Sequence, residues 1–432
     1  MTTLDGVRHP RKLASGVPRP GRATGRANPQ GSRSAAAADR EVTALSYYLV
    51  AGAALLLLAI GVVMVLSAST IESIRDNDGN PYADFVGQAK FVLIGLPLGI
   101  AASRVPVEWY RRLAWPALLA ALGLQMLIFS PLKRGQGGNV NWIYIPGVGQ
   151  AVQPSEFLKL ALALWLGLVL ARKGRLLADW RHVLLPGVVG AGGALGLVMA
   201  GHDMGTVLVM AALVAGAYFV AGLPLRWFGV AGVLGAGATA FFVALSDSRV
   251  ARVMSFLGAT EADPTGVGFQ TRHGLWGLGT GGVSGIGLGA SREKWSYLPE
   301  AQNDFIFAIL GEELGLLGTL VVLGLFAVLA VGMFRVVRRH RDPFAQITTA
   351  AIASWILAQA LVNIGVVIGL LPVIGVPLPL VSAGGSAMIS TLMAIGVVLA
   401  FARTEPGAAR ALASRKGVVR RSLAVVGGRR RG

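Results

Sequence analysis

The stretch YLPEAQNDFIFAILGEELG, residues 297–315, decides the fold. A polar, charged segment runs directly into a long apolar one, and Asp304 stands at the junction. Glu312 and Glu313 follow inside the apolar run. Because a charged side chain in or beside the hydrocarbon of a membrane is costly, it requires a structural or chemical reason. The stretch therefore predicts the start of a membrane-spanning helix with a functional residue at its end.

The composition of the 432 residues predicts an integral membrane protein built from helices. Hydrophobic residues make up 54% of the chain, charged residues only 14%, and the mean hydropathy is +0.63. A soluble domain carries about 25% charged residues. Several apolar runs approach the length of about 20 residues that a spanning helix needs. The chain contains no cysteine, which excludes disulfides and thiolate metal sites.

The net charge of +18 is concentrated in two terminal segments. Residues 1–42 carry eight Lys or Arg against three acids, and residues 403–432 carry nine against one. Basic segments beside membrane spans follow the positive-inside pattern and are attracted to anionic lipid. We therefore interpret the charge as a mark of membrane orientation and predict no nucleic-acid partner. A specific partner-binding role for one of these segments is the alternative.

Hydropathy along the chain predicts ten spans. They are residues 45–68, 86–103, 113–131, 155–171, 183–200, 205–222, 227–246, 304–334, 346–370 and 384–402. With the amino terminus inside, the internal loops are rich in arginine, whereas the external loop 69–85 is acidic. This distribution places both termini in the cytoplasm. The predicted fold is all-α, a polytopic membrane protein with a large extracytoplasmic loop, residues 247–303, between helices 7 and 8.

Three parts of the chain follow from this organisation. Residues 1–43 are predicted to form a disordered, basic cytoplasmic tail, because they are rich in Pro, Gly, Arg, Ser and Ala without an apolar period. Residues 44–403 form the transmembrane domain, and residues 404–432 form a second basic cytoplasmic tail. The first apolar run begins near residue 45 and is long enough to span, so no signal peptide is predicted.

The large loop contains a glycine-dense run, GVGFQTRHGLWGLGTGGVSGIGLG, residues 266–289. It lacks the Gly-Lys-Ser/Thr ending of a P-loop and has no strand–helix context, which excludes that type of nucleotide site. The glycines are predicted to let the backbone pack tightly or approach a ligand. Cations of the loop, such as Arg249 and Arg252, can hold a pyrophosphate or neutralise lipid headgroups and loop acids.

The residues alone leave two interpretations of Asp304. Aspartate is a preferred residue at the amino-terminal cap of a helix, and a helix begins here. An aspartate beside an apolar wall also has a raised pKa and can accept a proton, as a general base must. Glu312 and Glu313 point to different sides of the same helix, so at least one is predicted to face the bundle interior and to bind a cation of the protein there.

The segment QPSEFLK, residues 153–159, starts another span. Pro154 suits the first position of a helix, and Ser155 and Glu156 can cap it. Glu156 can also pair with Lys159 one turn further on. Capping does not explain a lysine so close to the start of a span, so a functional role is the second interpretation.

Two uncharged or weakly charged segments lie at the predicted external ends of other spans. In GHDMGT, residues 201–206, Asp203 is either a turn residue or part of a site. The segment LPVIGVPLPLVSAGGS, residues 371–386, is broken by proline and glycine. Backbone of this kind survives in a membrane protein where it lines a cavity or packs on protein, so the segment is predicted to form part of a substrate groove.

Five of these motifs together resemble those of the SEDS family (shape, elongation, division and sporulation) over roughly residues 44–404. They are QPSEFLK, the Asp-x-Gly-Thr turn, an Arg-x-x-Arg segment before the glycine run, PEAQNDFIFAILGEELG and PLPLVSAGGS. Five collinear motifs on a ten-span topology are a specific resemblance. Members of the family are polytopic glycosyltransferases that polymerise lipid II into peptidoglycan at the outer face of the cytoplasmic membrane.

The resemblance implies an inverting glycosyl transfer in which Asp304 is the catalytic general base. It also implies a group of substrate-binding residues, namely Glu156, Lys159, Asp203, Arg249, Arg252, Gln270, Ser382, Gly384, Gly385 and Ser386. No organic cofactor is expected. A divalent cation, Mg²⁺ or Mn²⁺, is left open and no ligands are assigned to it. The Ser-Ala-Gly-Gly sequence and the basic tails favour a division-type member over an elongation-type one.

The resemblance further implies the partners and the location. The partners are lipid II, an undecaprenyl-linked disaccharide-pentapeptide, a class B penicillin-binding protein transpeptidase and other division proteins. The location is the cytoplasmic membrane at the division septum. The alternative functions are a lipid II flippase, an elongation-type polymerase and a scaffold. A transporter usually shows half-helix pairs and inverted repeats, which are not evident here, and a scaffold leaves Asp304 unexplained.

Overall fold

The computed structural model of the protein describes residues 29–136, 139–144, 151–177, 179, 181–182, 185–258, 268–295, 297–409 and 411–412. Twelve α-helices dominate these residues. They are α1 (Pro29–Asp76), α2 (Ala83–Ala102), α3 (Val107–Met126), α4 (Pro154–Lys173), α5 (Gly193–Ala200), α6 (Met204–Val220), α7 (Leu225–Ala244), α8 (Asp247–Phe256), α9 (Phe269–Gly281), α10 (Ile306–Arg339), α11 (Pro343–Val367) and α12 (Gly385–Thr404). Most of both predicted tails, residues 1–28 and 413–432, lies outside the described residues, as does 259–267 of the large loop.

Eight of the described helices are long and apolar enough to cross a membrane. They are α1 from Ala44 onward, α2, α3 with the turn after it, α4, α7, α10, α11 and α12. The other two predicted spans, 183–200 and 205–222, correspond to the shorter apolar helices Val189–Ala200 and α6. The predicted helical, multi-pass membrane fold is thereby confirmed. The count of ten and the cytoplasmic position of both termini stay predictions.

Helix α1 is longer than the first predicted span. It begins at Pro29, within the segment predicted to be a disordered tail. Residues 35–38 of that segment are all alanine, the residue with the highest helix propensity. Helix propensity therefore outweighs the polar composition in residues 29–43.

The all-α prediction misses a small antiparallel sheet in the segment 132–153. Its strands are β1 (Lys133–Gln136), β2 (Asn139–Tyr144) and β3 (Ala151–Val152), in the order β1-β2-β3. Arg134 lies opposite Trp142, and Ile143 lies opposite Val152. Because the strands are only four, six and two residues long, they are too short for the alternation by which a strand is recognised in a sequence.

Small residues bring the central helices close together. Helices α4, α11 and α12 are mostly buried, whereas α7 buries none of its residues. Gly167 of α4 packs directly on Thr348 of α11, and Gly396 of α12 packs on the backbone of Gly99 in α2, so that a Cβ at either glycine would collide. Close approach through small residues is the usual way in which helices associate in membranes. The enclosed helices α4 and α11 carry the polar side chains of the site.

Part of the glycine run forms backbone hydrogen bonds with helix α10. At Gly315 the backbone has φ +66° and the helix is interrupted. Four backbone hydrogen bonds join the two segments, namely Ile286 N to Glu312 O (3.0 Å), Gly287 N to Glu313 O (3.1 Å), Leu316 N to Gly282 O (2.9 Å) and Leu317 N to Val283 O (3.2 Å). A Cβ on Gly285 would collide with the carbonyl group of Glu313. The expectation that these glycines allow close backbone packing is confirmed; we call residues 282–290 the hairpin.

Candidate active site

Asp304 lies in the turn directly before α10. The cap of this helix is Phe305, and no side chain caps it, so the capping interpretation of Asp304 is wrong. Within the described part of the chain, no group donates a hydrogen bond to the Asp304 carboxylate. Burial above all, with the charges of Glu300 and Asp203, raises the pKa of this carboxyl to about 7, although the charge of Arg252 acts to lower it. Asp304 is partly exposed and can meet a substrate.

The backbone of Asp304 is held by Asn363 of α11. The Nδ2 atom of Asn363 donates hydrogen bonds to the carbonyl oxygens of Asp304 (2.7 Å) and Val376 (2.8 Å). In the same loop Gly375 has φ +78°, and a Cβ there would lie 3.5 Å from Asp304 Oδ2. The proline- and glycine-broken segment 371–386 therefore lies against the carboxylate.

A buried pair of opposite charges lies near the start of α4. Lys159 Nζ is 2.7 Å from Glu156 Oε1 and donates to Gln359 Oε1 at 3.0 Å. The ammonium group also lies 4.6 Å from the ring centroid of Trp355, and Ser390 Oγ donates to Glu156 Oε2 at 3.0 Å. A buried ion pair needs such additional partners to offset its desolvation. The predicted pairing is confirmed, and the capping interpretation is wrong, since no side chain in the described range caps α4.

Asp203 is both a turn residue and a junction between segments. It caps α6, and its Oδ1 accepts a hydrogen bond from Thr206 N at 3.0 Å. Its Oδ2 accepts from Asn141 Nδ2 at 2.9 Å and from Gln153 Nε2 at 2.8 Å. The turn is thus joined to β2 and to the start of α4. The Asp203 carboxylate thus accepts three hydrogen bonds, and its negative charge raises the pKa of Asp304.

A small polar cavity of about 20 Å³ lies between these groups. It is lined by Gln153, Glu156, Lys159, Thr206, Val209, Gln359, Gly375, Val376 and Pro377. This volume holds about one water molecule. Gly375 borders both the cavity and the Asp304 carboxylate, so the two belong to one site.

The two predicted phosphate-binding arginines have different environments. Arg252 is half-buried on α8, and its charge reaches Asp304. Arg249 instead donates to the backbone carbonyl oxygens of Phe242 and His202, each at 3.1 Å. The Arg249 guanidinium therefore stabilises the turn before α6 and the corner between α7 and α8.

Three predicted binding residues lie at the start of α12. Ser386 Oγ accepts a hydrogen bond from Gln153 N at 3.1 Å, which joins α12 to α4. Gly385 packs on the ring of Phe91, where a Cβ would come within 2.7 Å. Gly384 is the residue before the helix and has an extended φ of −163°. Packing against Phe91 therefore explains why residue 385 is a glycine.

Ser382 and Gln270 complete the predicted set. Ser382 is buried, and its Oγ accepts a hydrogen bond from Leu378 N at 2.8 Å, which fixes the shape of the loop. Gln270 is the second residue of α9 and is half-buried. Within the described residues, no hydrogen bond joins Gln270 to the cavity.

The two glutamates of α10 belong to a separate cluster at the hairpin. Glu313 accepts hydrogen bonds from Ser67 Oγ at 2.7 and 2.8 Å, and Lys294 Nζ lies 3.2 Å from it. Glu312 accepts from Ser291 Oγ at 2.5 Å. Both glutamates are buried. The expectation that one of them binds a cation of the protein is confirmed for Glu313.

The divalent cation that the sequence left open, Mg²⁺ or Mn²⁺, stays a prediction. In the ranges that the structure describes, no three His, Cys, Asp or Glu side chains converge on one point. Mg²⁺ and Mn²⁺ prefer several oxygen ligands. We therefore derive no chemical step through a divalent cation.

Sequence reasoning missed the two amides of α11. Gln359 and Asn363 lie one helical turn apart, and Gln359 Nε2 donates to the carbonyl oxygen of Pro377 at 2.9 Å. With the bonds of Asn363, these amides fix the loop that faces Asp304. The available signal was the pair of polar residues four positions apart within an apolar span.

The chain is similar in sequence to known proteins. Residues 47–406 match the Cell cycle protein family that comprises FtsW, RodA and SpoVE. The probable peptidoglycan glycosyltransferase FtsW of Mycobacterium tuberculosis is 40% identical over 369 residues, which cover 85% of this chain and 70% of that protein. Stage V sporulation protein E of Bacillus subtilis is 36% identical over 354 residues, which cover 81% of this chain and 94% of that protein.

Solved structures show the same architecture. A chain from a study of the "structural coordination of polymerization and crosslinking by a peptidoglycan synthase complex" matches with a TM-score of 0.67 and 27% identity, over 82% of this chain and 97% of that one. The rod shape determining protein RodA of Thermus thermophilus matches in fold with a TM-score of 0.60 and 24% identity, over 83% and 97%. The length of the family match and the level of identity agree with the motifs and the fold: the chain belongs to the FtsW/RodA/SpoVE family, the SEDS proteins of the membrane.

Proposed function

We propose that this chain is a division-type peptidoglycan glycosyltransferase that polymerises lipid II at the outer face of the cytoplasmic membrane. The activity and the division type are supported by the name of the mycobacterial relative, which is 40% identical. One observation carries the mechanism. Asp304 is an acid with a pKa near neutrality, it lacks a hydrogen-bond donor among the described residues, and it lies against Gly375, which lines the polar cavity.

The proposed reaction is a single displacement. A sugar hydroxyl of the acceptor attacks the anomeric carbon of the donor, whose bond to the lipid pyrophosphate breaks and leaves its electron pair on the phosphate oxygen. An α-linked donor and a β-linked polymer require inversion, hence one base and no covalent intermediate. With a pKa of about 7, Asp304 is partly ionised at neutral pH and can take the hydroxyl proton.

The departing pyrophosphate needs positive charge where negative charge develops. Arg252 serves this purpose, because its charge acts at Asp304. Lys159 forms an ion pair with Glu156 and a hydrogen bond with Gln359, and its role is to shape the cavity wall. Arg249 is bound to backbone carbonyls and supports the site indirectly.

The proposal includes partners and a location. The partners are a class B penicillin-binding protein transpeptidase and other division proteins, and the location is the septum. Support for the transpeptidase comes from the likeness to a chain of a peptidoglycan synthase complex that is described as coordinating polymerization and crosslinking. The same likeness favours polymerisation over the alternative of a lipid II flippase.

Polymerisation of lipid II by the purified protein tests the proposal. The variant Asp304→Asn keeps the size of the side chain and removes the base, so the yield of glycan strands is expected to fall about 10³-fold, within the range for losing a general base. Asp78→Asn makes the same change at an exposed turn residue and is expected to retain the wild-type rate. Near-normal polymerisation by Asp304→Asn would refute its role as base. No polymerisation by the wild type together with its transpeptidase would refute the activity.

A further inference from the structure

The geometry points to the hairpin and helix α9 as an anchor in the outer membrane interface. Val283 and Leu288 insert among the acyl chains of the outer leaflet, and Trp276 and Trp295 lie at the level of the lipid headgroups. Part of the loop predicted to be extracytoplasmic is then embedded in lipid. This inference concerns a lipid-binding surface and does not depend on the chemistry at Asp304.

The depth of the hairpin follows from its hydrogen bonds with α10. Arg335 is the first of the cations at the end of α10 that is predicted to be cytoplasmic. A helix needs about 20 residues to cross the hydrocarbon core, which places the outer edge of that core near Gly315. The four backbone bonds of the hairpin end on residues 312–317. The hairpin therefore lies at the outer edge of the hydrocarbon.

Helix α1 gives the same depth independently. Its apolar part begins at Ala44, so a core of about 20 residues ends shortly before Ser67. Ser67 Oγ donates to Glu313, and Lys294 Nζ donates to Ser67 Oγ at 3.2 Å. Two helices from different parts of the chain thus place the segment around the hairpin at one level.

The apolar side chains of the hairpin face outward. Val283 is 66% exposed and Leu288 is 59% exposed. Leu316 and Leu317, on the adjoining turn of α10, are 52% and 59% exposed. The hairpin therefore continues the lipid-facing surface of a membrane-spanning helix. At this depth the molecules available to cover it are lipids, and apolar side chains favour their acyl chains over water.

Exposed aromatic residues flank the hairpin in the chain. Trp276, Trp295 and Tyr297 are each more than half exposed. The buried His273 ring lies between two of them, 4.8 Å from Trp276 and 6.1 Å from Tyr297, measured between ring centroids. Trp and Tyr are enriched at the membrane–water interface because their rings combine apolar and polar parts. The exposed Arg292 can reach a lipid phosphate from the same position.

Single-cysteine variants test the anchor directly, because the native chain has no cysteine. Val283→Cys and Leu288→Cys are labelled with an environment-sensitive fluorophore, and the labelled protein is placed in vesicles of phosphatidylcholine and phosphatidylglycerol. Leu316→Cys on the lipid-facing side of α10 is the matched positive control. Asp78→Cys in an exposed turn is the aqueous control.

We expect lipids with a nitroxide on the acyl chain to quench the hairpin probes to within about twofold of Leu316→Cys, and the Asp78→Cys probe several-fold less, as interfacial burial of apolar side chains requires. Aqueous iodide should show the reverse order. Hairpin probes that match Asp78→Cys in both measurements, in protein that retains wild-type circular dichroism, would overturn the anchor. Trp276→Ala with Trp295→Ala gives a second measure, since it should move the Leu288→Cys probe toward water without changing the Leu316→Cys probe.

Discussion

Asp304 and the pair Glu312 and Glu313 are acids at one end of one helix, about two turns apart, and their surroundings are opposite. The Ser67 hydroxyl is shared between the two carboxylate oxygens of Glu313, whose charge is neutralised by Lys294. Asp304 has no hydrogen-bond donor in the described part of the chain, and burial and other acids raise its pKa.

The number of hydrogen-bond donors around each carboxylate distinguishes a structural acid from a reactive one. A carboxylate saturated with donors can be buried at modest cost and has no free lone pair directed at a substrate. A carboxylate without donors holds its proton near neutral pH and exchanges it readily. In a membrane protein, the number of donors around an acid is therefore more informative than the presence of the acid.

The largest expected effect concerns the saturated acids. Lys294→Met leaves the buried Glu313 without a counterion, which is expected to cost about 3–5 kcal/mol of folding stability. The measurement is the thermal unfolding temperature in detergent. Lys294→Met combined with Glu313→Gln removes the unpaired charge and should recover most of the loss. An unfolding temperature of the single variant equal to that of the wild type would contradict the structural role of this cluster.

A second expected effect, a decrease of about 100-fold in kcat, tests the role of the positive charge near Asp304. Arg252→Gln removes the cation proposed to meet the pyrophosphate, so kcat for lipid II polymerisation is expected to fall by about two orders of magnitude. Arg75→Gln removes an exposed arginine that pairs with Asp76, and should leave kcat unchanged. If Arg252→Gln raises KM with kcat intact, the arginine acts in docking the lipid instead.

The smallest effect is the pH dependence of the rate. Only the ionised form of Asp304 accepts a proton, and its pKa is raised to about 7, so the ionised fraction is lost as the pH falls through that value. We expect the polymerisation rate to decrease about tenfold per pH unit below about pH 7 and to be constant above it. A rate that is flat between pH 5 and pH 8 would show that Asp304 is not the base that limits the reaction.

Much of this site follows from local sequence. The junction at Asp304 and the one-turn spacing of Glu156 and Lys159 are visible in the chain, because both depend on near neighbours. The partners of Asp304 and Glu313 are not visible. Asn363 and Lys294 reach them through packing between segments that no local pattern relates.

The fold likewise has parts that the local sequence predicts and parts that it does not. Long apolar helices are read directly from hydropathy, and the multi-pass helical fold agrees with them. The span predicted at 183–200 contains a π-helical segment, Leu185–Gly192, whose hydrogen-bond pattern has no signature in composition. The residue types before α4 and α10 can cap a helix, yet Glu156 pairs with Lys159, and the Asp304 carboxylate makes no hydrogen bond within the described residues.

The interleaving of the hairpin with α10 has a consequence for biosynthesis. At the outer edge of the hydrocarbon, α10 carries two buried glutamates and an interrupted hydrogen-bond ladder, so this turn of the helix needs polar partners. Within the part of the chain that the structure describes, the groups that bond to this turn, from Ser67 to the hairpin and Lys294, precede α10 and are synthesised earlier. When α10 leaves the translocation machinery, its binding surface already exists. The order of the chain therefore allows this helix to be inserted by assembly onto completed protein, without first residing alone in the bilayer.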